Sequence, residues 1–396
     1  MRMPKVLRNS AHVQSGETQK TGAVIPFDFH SRTRLIFGVG SIEQIGGLAQ
    51  ELGARKVLLV TDSGIVAAGH ADRVRALLAK ENLKVAVYDR VRENPSTRDV
   101  SECVAVARRA KSDLLIGLGG GSSLDTAKGC NFILTNGGEM KDYWGVGKAA
   151  RPMLPMIAVP TTAGTGSEMQ SAALISDEKT HQKMACLDPK AAPRVAILDP
   201  ELTVSQPRPV TACTGIDAIA HAVESAVTSR RNTLSDIFSR KAFALCAESF
   251  ATVLKQPDDI EARGKMLLGA AFAGLAIENS MLGAAHSAAN PLTAHFGIIH
   301  GQAVGLMLPY VVEFNAMDPA IARTYTALSG MEPSRFVKWI QSLLKLAGIP
   351  RRLRDAGVTK DSLPQLAEEA AQQWTARFNP KPITKADFLT LYKTAY

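Results

Sequence analysis

Between Arg34 and Asp199 the chain alternates short apolar runs with amphipathic stretches. The runs are "KVLLVTD" (56–62), "KVAVYD" (84–89), "DLLIGLGGG" (113–121), "PMIAVPTTAGTG" (155–166) and "RVAILDP" (194–200), each closing on turn residues. Near-continuous Val, Ile and Leu over four to six positions mark strands buried on both faces. Helical periodicity between them, over 70–82 and 101–111, predicts a parallel sheet covered by helices on both sides. An earlier run, "RTRLIFGVG" (32–40), reads as an edge strand that could turn back as part of a hairpin. After "DPELTVSQPRP" β-branched runs become rare, and Ala, Leu and Glu recur at helical spacing to the C-terminus. Pro200, Pro207 and Pro209 punctuate the change. The pattern divides the chain into a polar extension (1–24), an α/β domain (25–206) and a helical domain (207–396). A length of 396 residues also exceeds what one hydrophobic core usually serves. There is no internal repeat and no low-complexity segment.

Composition adjusts this picture modestly. Apolar residues make up 46% and charged residues 21%, as in ordinary globular proteins. The net charge of +9 comes from Lys and Arg spread along the chain, and aromatics are only 6%. That excludes the clustered basic face with stacking platforms of a nucleic-acid binder and favours anionic ligands instead. The five cysteines form no CxxC motif, and an odd set of apolar-flanked thiols suits a reducing compartment, here the cytoplasm. No apolar run is long enough to span a membrane. The extension lacks the apolar segment of a secretory signal. An edge strand near Arg34 would favour a homodimer.

Two loops at strand ends carry candidate chemistry. In "LLIGLGGGSSLDTAKG" a strand runs into Gly119, Gly120 and Gly121, then Ser122 and Ser123, then a helix beginning near Asp125. Such a turn lets backbone N–H groups and a helix N-terminus meet an anion such as a dinucleotide diphosphate. The spacing is not G-x-G-x-x-G, and the loop follows the third strand rather than the first. A second loop, "PTTAGTGSE" (160–168), follows the next strand. Two such loops at neighbouring strand ends form the crevice where open α/β sheets bind ligands. Asp62 closes the "KVLLVTD" strand. Its carboxylate suits ribose hydroxyls and would repel the extra phosphate of NADP, but "TDSG" equally suits a helix N-cap.

The helical part concentrates histidine. Of eight in the chain, His286, His295 and His300 lie in "AHSAANPLTAHFGIIHG" (285–301), on segments expected to be broken at Pro291 and Gly297. Upstream, "GIDAIAHAVE" sets Asp217 and His221 four residues apart, on one face of a helix. One Asp with three His can enclose a single divalent cation, and N/O donors suit Fe²⁺, Zn²⁺, Mn²⁺ or Co²⁺.

These motifs carry a resemblance. "GGGSSLDTAKG", "PTTAGTGSE", "DPEL", "GIDAIAHAVE" and the "AHSAANPLTAHFGIIHG" block followed by "LP" resemble, in order, the iron-containing (group III) alcohol dehydrogenases, from about Phe37 to the C-terminus. The resemblance implies a Rossmann-like dinucleotide-binding domain, an all-α metal domain and an active site between them. It implies metal ligands at Asp217, His221, His286 and His300, and a diphosphate on Gly119, Gly120, Gly121 and Ser122, at the head of the helix carrying Asp125. Thr161, Thr162 and Ser167 would line the nicotinamide side, with Lys183 near its ribose. The sequence departs from the family at Asn290, where many members carry a proton-relaying histidine, and at His295, where an aromatic residue is common.

The expected activity is hydride transfer between NAD (NADP being possible) and a small primary or secondary alcohol or its carbonyl. Fe²⁺, or Zn²⁺ or another divalent cation, would polarise the substrate oxygen. A dehydroquinate-synthase-like lyase of the same fold group would need Lys and Arg to grip an anionic substrate, which the small, apolar 287–301 segment does not offer. A non-catalytic nucleotide-binding protein would have no need of Asp217 with three histidines.

Overall fold

The computed structural model describes residues 26–180 and 182–396, so the extension expected over 1–24 lies outside the described residues. Its strands are β1 (Arg34–Phe37), β2 (Lys56–Val60), β3 (Lys84–Tyr88), β4 (Leu114–Gly119), β5 (Gly145–Val146), β6 (Met156–Pro160), β7 (Ala172–Ser176), β8 (Lys183–Leu187) and β9 (Val195–Leu198). Among and after them run α1 (Ile45–Glu51), α2 (Ser63–Ala67), α3 (His70–Lys80), α4 (Thr97–Ala110) and α5 (Gly121–Asn136). Beyond residue 207 the structure is helical: α6 (Arg208–Val227), α7 (Thr233–Lys255), α8 (Ile260–Glu278), α9 (Ala284–Phe296), α10 (His300–Ala316), α11 (Pro319–Ser329), α12 (Pro333–Ala347), α13 (Leu363–Gln372) and α14 (Lys385–Ala395).

The main sheet has six parallel strands in the order β1-β9-β6-β4-β2-β3. Successive strand residues face opposite sides, and both sides are apolar here. Val57, Leu59, Leu114, Ile116 and Leu118 fill one core, and Leu58, Val60 and Leu115 fill the other. The chain passes from β2 outward to β3, then returns to β4 on the other side of β2. The order therefore reverses between β2 and β4, and ligand crevices form at the carboxyl ends of such a pair. A third core gathers the helical part around α6 and includes Ala196 and Leu198 of β9, so sheet and helices share packed side chains.

Three local expectations change. The 32–40 run makes no hairpin: β1 pairs in parallel with β9, Arg34 opposite Val195. After Phe37 the chain is captured by Asp199, whose carboxylate accepts the N–H groups of Gly40 and Ile42, each at 3.2 Å. Helix α4 starts at Thr97 rather than 101, because Ser96 and Asp99 form a capping box, with the Ser96 N–H donated to Asp99 at 2.8 Å. Helix α9 runs through Pro291 and stops at Gly297 (φ 63°). The N–H that Pro291 lacks is outweighed there by burial of Pro291 and Leu292. A second, three-stranded sheet, β5-β8-β7, was not expected; its β7–β8 pair is antiparallel.

Candidate metal and dinucleotide site

The sheet's reversal point is where two sequence candidates meet. Asp62, at the end of β2, caps α2 by accepting the Ile65 N–H at 3.0 Å through one oxygen. Its other oxygen accepts the Ser123 hydroxyl at 3.4 Å across the crevice, beside Gly119. Of the two roles that the sequence left open, ribose recognition and capping, the cap is the one observed. Gly119 (φ 143°) adopts a backbone that L-residues avoid, and a Cβ there would fall 2.6 Å from Ser123 Oγ. At Gly121 a Cβ would meet Thr165 Cγ2 at 2.7 Å, so the triple glycine also lets the two loops pack against each other. Helix α5 begins with no side-chain cap, which leaves first-turn N–H groups near Gly121 and Ser122 free for an anion.

The β6 loop lies beside this one, with Gly119 opposite Pro160 and the Thr161 N–H donated to Gly119 O at 3.0 Å. Thr161 is buried and Thr162 half-buried, its methyl against Gly120. Asp125 and Ser167, expected beside the cofactor, turn their side chains inward. Ser167 Oγ donates to Asp125 at 2.6 Å, and Asp125 also accepts the Leu174 N–H at 3.2 Å. The reason is Lys128, a fully buried ammonium that the sequence reading did not single out. It donates to Ser167 O at 2.6 Å, Ser167 Oγ at 2.7 Å and Ala172 O at 2.9 Å, with Asp125 3.7 Å away. A buried charge needs such partners, so Asp125 and Ser167 hold the loop's shape.

Across the crevice, α6 projects Asp217 and His221 from adjacent turns, α9 brings His286, and α10 opens with His300. Asp217 Oδ1 lies 3.5 Å from His221 Nε2 and 3.4 Å from His286 Nε2. These three side chains each bring a ligand atom within 4.8 Å of the others. The His221 and His286 rings stack at 4.8 Å. The His300 ring stands next to that group, 5.5 Å from His286 between centroids and outside the tight three-atom cluster. Asp217 Oδ1, His221 Nδ1, His286 Nε2 and His300 Nδ1 are buried without hydrogen-bond partners. Of these atoms Asp217 Oδ1 and His286 Nε2 face each other; an orphaned buried polar atom costs on the order of 1–3 kcal/mol, and a cation shared by that pair removes the penalty. The donor set, one carboxylate and imidazoles, fits Fe²⁺ or Zn²⁺.

The electrostatics follow from this crowding. Burial disfavours charge on His286, yet its bonds to Asp217 and Glu224 outweigh that and hold its pKa up at about 9. For His300, burial together with Lys183 and the other imidazoles lowers the pKa to about 3 despite Asp217. His221 is lowered too, chiefly by burial. Burial also opposes ionisation of Asp217, but the three histidines carry its carboxyl well below the ordinary range. Lys183 opens β8 half-buried. Desolvation lowers its pKa, against the pull of Asp125, Asp217 and Glu93.

The remaining candidates part company. Asn290 donates its amide to Gln373 Oε1 at 3.0 Å. His295, five residues on along α9, lies on the exposed side and pairs with Glu369 at 2.7 Å. Glu224 closes the "GIDAIAHAVE" motif, and a glutamate in a helix ordinarily marks a solvent face. It is only 3% exposed and contacts His286.

Comparison with known proteins agrees with the motif order. The profile of the family described as "Iron-containing alcohol dehydrogenase" matches residues 32–200, and that of "Fe-containing alcohol dehydrogenase family, C-terminal" matches residues 211–396. "Alcohol dehydrogenase 4" of Saccharomyces cerevisiae is 34% identical over 366 residues, covering 91% of this chain and 96% of that protein. The crystal structure of a 1,3-propanediol oxidoreductase superposes with a TM-score of 0.91 at 31% identity, over 94% of this chain and all of that one. Sulfoacetaldehyde reductase from Bifidobacterium kashiwanohense, solved in complex with NAD⁺, superposes with a TM-score of 0.85 at 28% identity, over 94% and 99%.

Proposed function

The chain belongs to the iron-containing alcohol dehydrogenase family and is an oxidoreductase, and from that premise we propose that it interconverts small alcohols and their aldehydes or ketones with NAD(H) at the crevice between sheet and helices. The observation that carries this reading is the buried cluster of Asp217, His221 and His286, in which Asp217 Oδ1 and His286 Nε2 have no hydrogen-bond partner, with the His300 ring beside it.

When bound, the cation supplies Lewis acidity toward the substrate oxygen, and the nicotinamide supplies or accepts the hydride. The chain's own residues do the rest. Asp217, His221, His286 and His300 offer the cation's ligands. Backbone N–H groups at Gly119, Gly120, Gly121 and Ser122 bind the diphosphate, and Thr161 and Thr162 bound the nicotinamide side. Lys183 would lie near the nicotinamide ribose, and its charge acts on Asp217 and His300. Burial of these groups keeps bulk water away from the transferring hydride. The metal-binding domain is 207–396 and the dinucleotide-binding domain 25–206, supported by the end of β9 at Leu198 and the start of α6 at Arg208. Exposed Phe37 and Val39 at the β1 edge support a homodimer. Free, buried cysteines support a cytoplasmic enzyme. The direct test is a panel of small alcohols and aldehydes assayed with NAD⁺/NADH and NADP⁺/NADPH, with and without added Fe²⁺. Net NADH change is expected, whereas turnover without it would indicate a lyase that recycles its cofactor.

Asp62 sets the cofactor preference toward NAD(H). Its second oxygen, beside Gly119, suits a ribose hydroxyl and repels a 2′-phosphate. Asp62→Gly is expected to raise kcat/KM for NADP(H) relative to NAD(H) by about 10-fold, the equivalent of about 1.4 kcal/mol. It is also expected to cost a few tenths of a kcal/mol through the altered α2 cap. A native enzyme already preferring NADP(H) contradicts this.

Proton traffic cannot use residue 290, because an amide does not change protonation near neutrality. We assign the route to water. His295, committed to Glu369 on the outer face of α9, takes no part. His295→Phe is expected to leave the pH–rate profile unchanged and to lower stability by no more than about 1 kcal/mol, the scale of an exposed ion pair. Loss of a near-neutral ionisation together with a large fall in turnover would reinstate His295 as the relay.

A further inference from the structure

We infer that Glu224 is a positioning residue for the metal site: its carboxylate holds the proton of His286 on Nδ1 and so keeps the Nε2 lone pair aimed at the cation. The inference rests on reading Asp217, His221, His286 and His300 as the cation's ligands.

Glu224 lies on α6 two turns beyond Asp217, on the same face as His221, and is 3% exposed. Its two oxygens accept from successive residues at the start of α9. Oε1 accepts the Ala285 N–H at 2.7 Å, and Oε2 takes His286 Nδ1 at 2.5 Å. On the far side of the same imidazole, Nε2 lies 3.4 Å from Asp217 Oδ1 and has no hydrogen-bond partner. The ring is thus pinned between a carboxylate that can only accept and a place where a cation must be met by a lone pair. A proton on Nδ1 satisfies both ends, and a proton on Nε2 satisfies neither. The seat for the carboxylate is prepared by Gly283, where a Cβ would come within 3.1 Å of Glu224 Oε1. Asn379 meets the preceding N–H, of Ala284, at 3.3 Å, so α9 enters the site with its first donors already paired. One side chain on α6 therefore fixes both the start of α9 and the tautomer of the ligand that α9 supplies.

The two roles separate in Glu224→Gln, which keeps volume and reach. The Ala285 N–H can only donate, so it claims the amide oxygen. That turns the amide NH₂ toward His286 Nδ1, which must then accept, and moves the proton to Nε2. We expect zinc, titrated into metal-free protein against a competing chelator, to bind the variant 10- to 100-fold more weakly than the native protein, the usual effect of losing such a partner. The melting temperature of the metal-free protein should change little. Equal zinc affinity in native and variant proteins would overturn this inference and leave the ligand assignment standing. A native protein that binds no zinc would overturn both. Should the variant fail to fold, the ¹⁵N histidine spectrum of the zinc-loaded native protein decides. A protonated Nδ1 with a zinc-shifted Nε2 on His286 supports the inference, and the reverse pattern overturns it.

Discussion

Replacing His286 by alanine is expected to abolish stoichiometric metal binding and to lower kcat/KM for alcohol oxidation by on the order of 10³-fold, several kcal/mol of transition-state stabilisation. His286 is the imidazole about which the site is organised. It stacks on His221 at 4.8 Å, neighbours His300 and lies between the carboxylates of Asp217 and Glu224. Its removal takes away one donor and leaves two buried carboxylates without their shared partner. Breaking a buried pair in this way costs about 3–5 kcal/mol. A lowered melting temperature should therefore accompany the loss of activity. The check is metal content by elemental analysis alongside steady-state rates and a melting curve, and native rates at native metal content would refute the assignment.

Gly301→Ala is expected to be the most damaging single-methyl substitution near the site. A Cβ at Gly301 would fall 2.1 Å from the carbonyl oxygen of Cys213 and 3.3 Å from Asp217 Cβ. The obstacle is backbone, so no rotamer change relieves it. Helix α10 must move away from α6, and His300 moves with it. Overpacking of this kind costs about 3 kcal/mol or somewhat more. The expected outcome is a melting temperature lower by about 4 °C, with metal affinity reduced as well, since α6 and α10 each carry ligands. Native stability in this variant would contradict a direct backbone contact between α6 and α10 at Gly301.

How much of this was legible in the sequence depends on how local the cause is. The parallel strands were readable because burial on both faces leaves continuous runs such as Lys56–Val60 and Leu114–Gly119. The second sheet was not. β7 and β8 are five residues each, and their inward residues Ala173, Ile175, Met184 and Cys186 do not form a β-branched run. The partner of β1 lies at 195–198, so nothing near Arg34 could reveal a parallel pairing instead of a hairpin. Clustered histidines in a histidine-poor chain, together with the spacing of Asp217 and His221, pointed to the metal cluster. Glu224 could not be found that way, since it is buried by parts of the chain remote in sequence, with Ala285 and His286 of α9 against its carboxylate. The inward turn of Asp125 and Ser167 follows from Lys128, whose burial no local pattern announces.

The central claim is that a cation bound by Asp217, His221, His286 and His300 sits where the substrate oxygen meets the nicotinamide. Anomalous diffraction at the metal edge, from crystals loaded with Fe²⁺ or Zn²⁺ and NAD⁺, tests it most directly. A single strong peak is expected within coordination distance of Asp217 Oδ1, His286 Nε2 and the imidazoles of His221 and His300, facing the nicotinamide ring. A peak elsewhere, or an ordered cofactor with no metal peak among these four side chains, would contradict it.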